Sequence, residues 1–177
     1  MRYTTNWVTH SFRIAALGVL GLGVATATFA QEKFKYTFSA PAQSKYTEQH
    51  VLEVGDMPGH QIRVGTISTK YLTESPVFDG VKMSEATAWV TSDYVSGNGR
   101  FTQYVVANME NGDKIYETVE GQLQTSGGKA AYSTITTLRG GTGKFTTIRG
   151  VIRGSGVTDF KTGPTSNPYE GEYWFEK

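Results

Sequence analysis

The sequence predicts an all-β protein, a single antiparallel up-and-down β-barrel of eight or nine strands that follows an N-terminal signal peptide. Two observations after residue 30 predict this class. No stretch keeps a helical period of apolar residues over the ~10–12 residues that a helix needs. Short runs rich in Thr, Val, Ile, Tyr and Phe recur instead, separated by Gly, Asn, Asp, Ser or Pro. This pattern is typical of strands joined by tight turns.

The first 30 residues have the organisation of a secretory signal peptide. The uncharged run 14–27 is mainly apolar but too short to span a bilayer comfortably. In the following Thr28-Phe29-Ala30, small residues occupy the two positions that a signal peptidase reads, and the chain turns polar at Gln31. We therefore expect residues 1–30 to be removed, which leaves 31–177 as a periplasmic or secreted barrel domain with no membrane span. An anchored N-terminal helix is the alternative.

The β-rich runs and the turn residues between them predict nine strands. Their expected ranges are 33–39, 49–55, 60–72, 84–95, 100–110, 113–125, 129–139, 144–154 and 170–176. Asn111-Gly112 predicts a two-residue hairpin turn, because both turn positions must take positive φ. So many strands with short links have to protect their edges, and closure into a barrel does so. A two-sheet sandwich is the alternative. The last strand is expected to pair with the first.

Composition excludes several classes of function. A formal net charge of +1 provides no electrostatic basis for binding nucleic acid. The absence of cysteine excludes disulfides, a thiolate nucleophile and a Cys-ligated metal. The histidines, His10, His50 and His60, lack the spacing of a metal site, so neither a metal nor a cofactor is predicted. Phe145 follows Lys144 where a phosphate-binding P-loop requires Ser or Thr.

One stretch carries a resemblance to known families. Residues 138–150 read LRGGTGKFTTIRG, which resembles the late hairpin of the allene oxide cyclase and dirigent barrels. There a GGTG- or GGSG-type turn, an aromatic residue and a downstream glycine recur in this order. Residues 54–60 and the C-terminal GEYWFEK resemble uncharacterised exported bacterial proteins of this kind. The resemblance implies an eight-stranded antiparallel barrel and the trimeric homo-oligomer of those families. Their catalytic residues lie outside the matching motif, so none is transferred.

The register of the hairpins predicts which side chains face the lumen. If every turn is of even length, side-chain alternation brings one set of residues to a shared face. This predicted lumen set consists of Trp89, Asp93, Tyr104, Glu117, Tyr132 and Arg149. We expect Glu117 and Arg149 to contact each other there, either as a structural ion pair that fixes the core or as the polar end of a ligand pocket.

One odd-length turn would reverse the two strands that carry Trp89, Asp93 and Tyr104 and turn these side chains outward. The opposite face of those strands is also apolar. Under the even-length register this apolar band would lie outside and be covered by another subunit. It consists of Ala88, Val90, Tyr94, Phe101 and Val105.

Three classes of function agree with these expectations. The first is a non-catalytic barrel that binds a small hydrophobic or phenolic ligand in its lumen. The second is an isomerase or cyclase of the allene oxide cyclase type, whose pocket shapes a reactive substrate. The third is a structural or interaction barrel with a filled core. A cavity separates the third class from the other two, and turnover of a ligand separates the second from the first.

Overall fold

The structure is a computed structural model that describes residues 31–40, 42–71, 73–159, 161–164 and 167–177. The expected signal peptide, residues 1–30, lies outside the described residues. The described chain is all-β apart from a 3-10 turn at Gly143–Phe145. Within it, no helix has the length and apolar character that crossing a membrane requires.

The described residues form eleven strands, and every pair is antiparallel. Nine of the strands lie side by side in one sheet in the order β1-β11-β9-β8-β7-β6-β5-β3-β2, while the short strands β4 and β10 pair with β5 and β9. The two-sheet sandwich is therefore not formed. The strands are β1 Phe34–Ala40, β2 Ala42–Glu53, β3 His60–Tyr71, β4 Val77–Phe78, β5 Val81–Val95, β6 Asn98–Met109, β7 Lys114–Ser126, β8 Lys129–Gly141, β9 Ile148–Asp159, β10 Gly163–Pro164 and β11 Asn167–Phe175.

Most predicted strands agree with this list within a few residues, and the last long strand pairs with the first as expected. Two strands differ. β2 begins at Ala42, whereas the sequence predicted a start near residue 49. The prediction missed the first half of this strand because it is polar and exposed and shows no apolar alternation. The strand predicted at 144–154 begins at Ile148, because the preceding residues form the 3-10 turn.

The sheet wraps around a core, but its two edges are not joined by a backbone ladder within the described residues. β1 pairs with β11 and β2 pairs with β3, so the first two strands form the opposite edges of the sheet. Side chains meet across this seam, where the rings of Phe38 and Tyr71 lie perpendicular with centroids 5.7 Å apart. The predicted antiparallel all-β class is confirmed, whereas the predicted closure into a barrel is wrong for the backbone.

The loop between β6 and β7 is one residue longer than predicted. The N–H of Met109 donates to the carbonyl of Asp113 at 2.9 Å, and the N–H of Gly112 donates to the carbonyl of Met109 at 3.0 Å. Gly112 has a φ of 86°, whereas Asn111 is not among the residues with positive φ. Glu110, Asn111 and Gly112 thus form a three-residue loop, which is the type I turn with a left-handed glycine. An odd loop shifts the register by one residue.

This shift decides which faces of β5 and β6 point inward. Val105, and not Val106, lies opposite Glu117, so these two side chains share one face of the sheet. The turn between β5 and β6 has two residues, Ser96 and Gly97, both with positive φ. β5 therefore keeps the orientation of β6, and both are reversed relative to the prediction.

The connection between β8 and β9 is also odd. Leu138 pairs with Gly150, and the intervening residues include the 3-10 turn Gly143–Phe145. Gly143 has a φ of 52°, and a Cβ there would lie 2.0 Å from the carboxylate of Asp113. Glycine is therefore favoured at this corner of the motif that resembles the barrel families. By contrast, the two-residue turn between β7 and β8 preserves the predicted register of those two strands.

The apolar band expected between subunits faces inward instead. Four of its residues are buried, and the fifth, Phe101, is partly buried against the core. The prediction that this band forms an interface is wrong, because the three-residue loop turns β5 and β6 over. The trimer implied by the resemblance stays a prediction. The four buried residues are Ala88, Val90, Tyr94 and Val105.

Large apolar side chains close one end of the wrapped sheet. Phe78 and Phe145 are 1% and 0% exposed, and they project from the two connections at this end. The connections are tied together, because the ammonium of Lys144 lies 2.9 Å from the carboxylate of Asp79. The backbone N–H of Asp79 also donates to the hydroxyl of Tyr173 at 2.9 Å. This end of the sheet is therefore filled.

Candidate functional site

A cavity of about 610 Å³ lies within the wrapped sheet, a volume in the usual range of small-molecule sites. Its wall combines aromatic and aliphatic side chains with a few hydroxyl and amide groups. The described residues therefore do not build a core that is filled throughout. The aromatic wall consists of Tyr36, Phe38, Tyr71, Phe78, Phe101, Tyr132 and Tyr169, and the polar groups belong to Gln43, Ser44, Thr69, Gln103, Glu117, Thr134, Thr136 and Thr158.

Glu117 is the one carboxyl group among the described residues that line the cavity, and no Lys, Arg, His or Asp lines it with Glu117. It projects inward from β7 because it alternates with Ile115 and Val119, which are buried. No described residue forms a hydrogen bond or ion pair with its carboxylate. Burial raises the pKa of Glu117 to about 7, because desolvation penalises the charged form. At neutral pH this carboxyl can either donate or accept a proton.

Tyrosine hydroxyls surround the same space. Burial raises the pKa of both Tyr36 and Tyr71, and the negative charge of Glu117 raises them further. Both phenols therefore stay neutral. The hydroxyl of Tyr71 donates to the sulfur of Met83 at 3.1 Å, and the hydroxyl oxygens of Tyr132 and Tyr169 lie 3.3 Å apart. The cavity thus presents one acid and several phenols in a mainly apolar wall that also carries neutral amide and hydroxyl groups.

Part of the cavity wall belongs to the edge strand β2. Gln43 and Ser44 line the cavity and are exposed to solvent on this edge strand. The hydroxyls of Ser44 and Thr69 lie 2.8 Å apart, which holds the wall of β2 against β3. The cavity wall is therefore in contact with solvent at this strand.

Two members of the predicted lumen set lie at the cavity, and two lie opposite each other on the outer surface. Glu117 and Tyr132 line the cavity. Trp89 and Tyr104 pair across β5 and β6 and are 50% and 66% exposed. The lumen position predicted for Trp89 and Tyr104 is wrong, because the three-residue loop after β6 reverses the strands that carry them.

Asp93 also lies on the outer surface, where it accepts a hydrogen bond from Nε2 of His60 at 2.9 Å. Arg149 forms an ion pair with Glu176 at 2.8 Å and donates to the carbonyl of Ile148. The predicted contact between Glu117 and Arg149 is therefore wrong. Its cause is the odd connection before β9, which brings Ile148 to the inner face in place of Arg149.

Sequence reasoning missed several wall residues. Tyr36 lies on β1, where apolar residues alternate at Phe34, Tyr36 and Phe38, so this pattern could have indicated it. Phe78 lies on a two-residue strand, and Tyr169 lies just beyond a turn-rich stretch. Neither has a local pattern that points to the cavity.

His60 forms a separate polar cluster away from the cavity. Its Nδ1 contacts Asp56 at 2.5 Å, and its Nε2 contacts Asp93 at 2.9 Å. The hydrogen bond with Asp56, and then that with Asp93, raises the pKa of His60. Among the described residues, no group of three His, Asp or Glu side chains is arranged to hold a metal ion. Through His60, the cluster connects Asp56 in the loop before β3 with Asp93 on β5.

We expect His60 to stabilise the fold at acidic and neutral pH and to lose this effect at higher pH. A group whose pKa is raised on folding stabilises the protein below its unfolded pKa of about 6.5, and the contribution disappears as pH rises through the folded pKa. The difference in melting temperature between the wild type and His60→Gln should therefore shrink as pH rises. The matched control is His50→Gln, since His50 is exposed. A difference that grows with pH would contradict the assignment.

Comparisons with known proteins concern the fold. No family model matches the chain, and no curated protein matches it. Among solved structures, a protein of unknown function of the DUF3224 family from Shewanella oneidensis MR-1 is 14% identical, with a TM-score of 0.52 over 82% of this chain and 99% of that one. The chain shares its fold with this protein. At this identity, the likeness says nothing about function.

Two dirigent proteins are also similar in structure. The pterocarpan synthase dirigent protein GePTS1 is 15% identical, with a TM-score of 0.46 over 84% of this chain and 89% of that one. The corresponding values for the pterocarpan synthase dirigent protein PsPTS1 are 14%, 0.43, 84% and 99%. Dirigent proteins are one of the two families that residues 138–150 resemble.

Proposed function

We propose that the chain binds a small hydrophobic or phenolic molecule in its cavity and does not transform it. The observation that supports this most directly is the cavity of about 610 Å³, whose mainly apolar wall contains one carboxyl group without a described partner. Apolar burial would supply most of the affinity, at about 25 cal/mol per Å² of buried surface. Glu117 and the phenols would orient the ligand through hydrogen bonds.

Filling the cavity should abolish binding. Ala88 is 6% exposed and lines the cavity, so Ala88→Phe places a ring in the space that a ligand would occupy. We expect at least a tenfold loss of affinity, which corresponds to at least about 1.4 kcal/mol of binding free energy. The probe is an uncharged naphthalene alcohol, and binding is measured by calorimetry.

The matched control for Ala88→Phe is Ala131→Phe, since Ala131 is exposed on the outer face of β8. This variant should bind like the wild type. Circular dichroism checks that both variants are folded. Equal binding by folded Ala88→Phe and wild-type protein would contradict the cavity as the binding site.

A second candidate function is an isomerase or cyclase. The pKa of about 7 for Glu117 favours it, because a general acid or base works best when its pKa lies near the working pH. Mass spectrometry of small molecules that co-purify with the protein would identify a ligand to assay. Turnover of that ligand, lost in Glu117→Gln, would replace the binding proposal, whereas retention without turnover supports it.

Export through the signal peptide remains a proposal of its own. We expect the mature protein to begin at Gln31, because the polar part of the chain starts directly after Ala30. The intact mass of protein recovered from the periplasm or the medium measures this. A product that retains residues 1–30 and sediments with membranes would support the anchored alternative.

A further inference from the structure

The charge of the cavity wall limits the chemical class of the ligand. Glu117 is the only residue with an acidic or basic side chain, apart from tyrosines, among the described residues that line the cavity, and these tyrosines lie on four other strands. These tyrosines are Tyr36 on β1, Tyr71 on β3, Tyr132 on β8 and Tyr169 on β11. No described basic side chain faces the carboxylate, so an anionic ligand would meet one negative charge and no positive one.

We propose that the cavity selects a hydrophobic molecule with a protonated primary amine, whose ammonium group pairs with the carboxylate of Glu117 among the tyrosine rings. This inference rests on the proposed function and adds the charge of the ligand to it. The nearest cross-strand residues of Glu117 are Val105 on β6 and Leu138 on β8. Neither can neutralise the carboxylate, so the ligand would have to bring the positive charge.

An ammonium group fits the surroundings of Glu117 in two ways. It offers three N–H donors, and a hydrogen bond between two charged groups is about twice as strong as one between neutral groups. The phenol rings provide the second contribution, because a cation within about 6 Å of an aromatic face is attracted by the ring. Tyr36 stacks on Phe78 with centroids 4.8 Å apart, so part of this aromatic wall is held in place before a ligand arrives.

A neutral ligand could occupy the same cavity but would form no ion pair with Glu117. It would leave the buried carboxyl in its protonated form, because an isolated carboxylate is too costly to keep in an apolar site. A bound ammonium would instead favour the ionised form. The amine and the neutral molecule therefore differ in how their binding depends on pH, with the change centred on the pKa of Glu117.

Three probes with the same ring separate these possibilities: 1-naphthylmethylamine, 1-naphthylmethanol and 1-naphthoate. At about pH 8 we expect the amine to bind at least about tenfold more tightly than the alcohol, since a hydrogen bond between charged groups is about twice as strong as one between neutral groups. Its affinity should fall about tenfold at about pH 6, because each pH unit below the pKa of Glu117 costs a factor of ten. The affinity of the alcohol should instead rise over the same interval, because the alcohol leaves Glu117 protonated, and the naphthoate should bind most weakly at about pH 8. Calorimetry with the mature chain measures all three.

Glu117→Gln tests the role of the carboxylate without changing its shape. The amine should lose its advantage in this variant. At about pH 8 the alcohol should bind at least as tightly as it does to the wild type, since the amide retains hydrogen-bonding capacity and takes up no proton. The control is Glu120→Gln, which changes an exposed residue of the same strand. It should leave all three affinities unchanged.

The possible failures are distinguishable. An alcohol that binds as tightly as the amine at about pH 8 overturns the preference for an amine and leaves the proposed ligand-binding function intact. An amine advantage that persists in Glu117→Gln also overturns it, because another group would then recognise the cation. If none of the probes binds, the proposed function fails together with this inference.

Discussion

Glu117→Gln is expected to stabilise the ligand-free protein by about 3 kcal/mol at pH values well above 7 and to have little effect near pH 4. The pKa of Glu117 is about 7 in the folded protein, against an ordinary value of 4.5, and one unit corresponds to 1.36 kcal/mol. Between these two values the folded state binds more protons than the unfolded state. Stability therefore falls as pH rises through this interval. The amide of the variant has no proton to lose in this range, so the variant avoids this cost.

Urea denaturation at several pH values measures this difference in the free energy of unfolding. His60 also titrates in this range, but it is present in both proteins and its contribution cancels in the difference. The control is Glu120→Gln, which alters an exposed residue and should change stability by less than about 0.5 kcal/mol. If the stabilities of the wild type and Glu117→Gln follow parallel lines with pH, the carboxyl of Glu117 is not buried in the folded state.

The contact of Glu117 with Arg149 expected from the sequence would have produced the opposite sign. Removing one partner of a buried ion pair strands the other charge and destabilises by about 3–5 kcal/mol. Arg149 pairs with Glu176 instead, and no described cation compensates Glu117. The sign of the effect at high pH thus distinguishes an isolated buried acid from half of an ion pair.

Phe145→Ala is expected to destabilise the fold by about 3–5 kcal/mol, the usual cost of removing a buried aromatic ring. Phe145 is 0% exposed in the 3-10 turn and packs near Phe175, with ring centroids 6.5 Å apart. Its removal leaves a void at the filled end of the sheet, where Ile148 and Leu138 are also completely buried. Thermal or urea unfolding measures this loss.

Thr147→Ala is the matched control for Phe145→Ala. Thr147 is exposed and lies two residues further along the same connection, so its replacement should cost less than about 0.5 kcal/mol. Phe145 does not line the cavity. Ligand affinity in the folded Phe145→Ala variant should therefore change much less than stability does. A loss below about 1 kcal/mol would show that the aromatic residue of the GGTG motif does not support the core.

The sequence by itself determined the all-β class, most of the strands and the pairing of the last long strand with the first. These features depend on local patterns, which are runs of β-favouring residues, alternation and turn residues. The same local information placed Glu117 and Tyr132 on one face, because the Gly127-Gly128 turn that joins their strands has two residues with positive φ. Within this one hairpin, register could be read correctly from the turn.

Only the tertiary structure decided which other side chains share the cavity with Glu117. When register is counted from one turn to the next, an error in one turn is carried into every later strand. Side chains alternate with a period of two, so a one-residue difference reverses an entire strand. Asn111-Gly112 belongs to a three-residue loop, and this single residue places Trp89, Asp93 and Tyr104 outside. The odd connection around Phe145 does the same to Arg149. The tyrosines that replace them come from strands distant in sequence, and packing of the whole sheet brings them together.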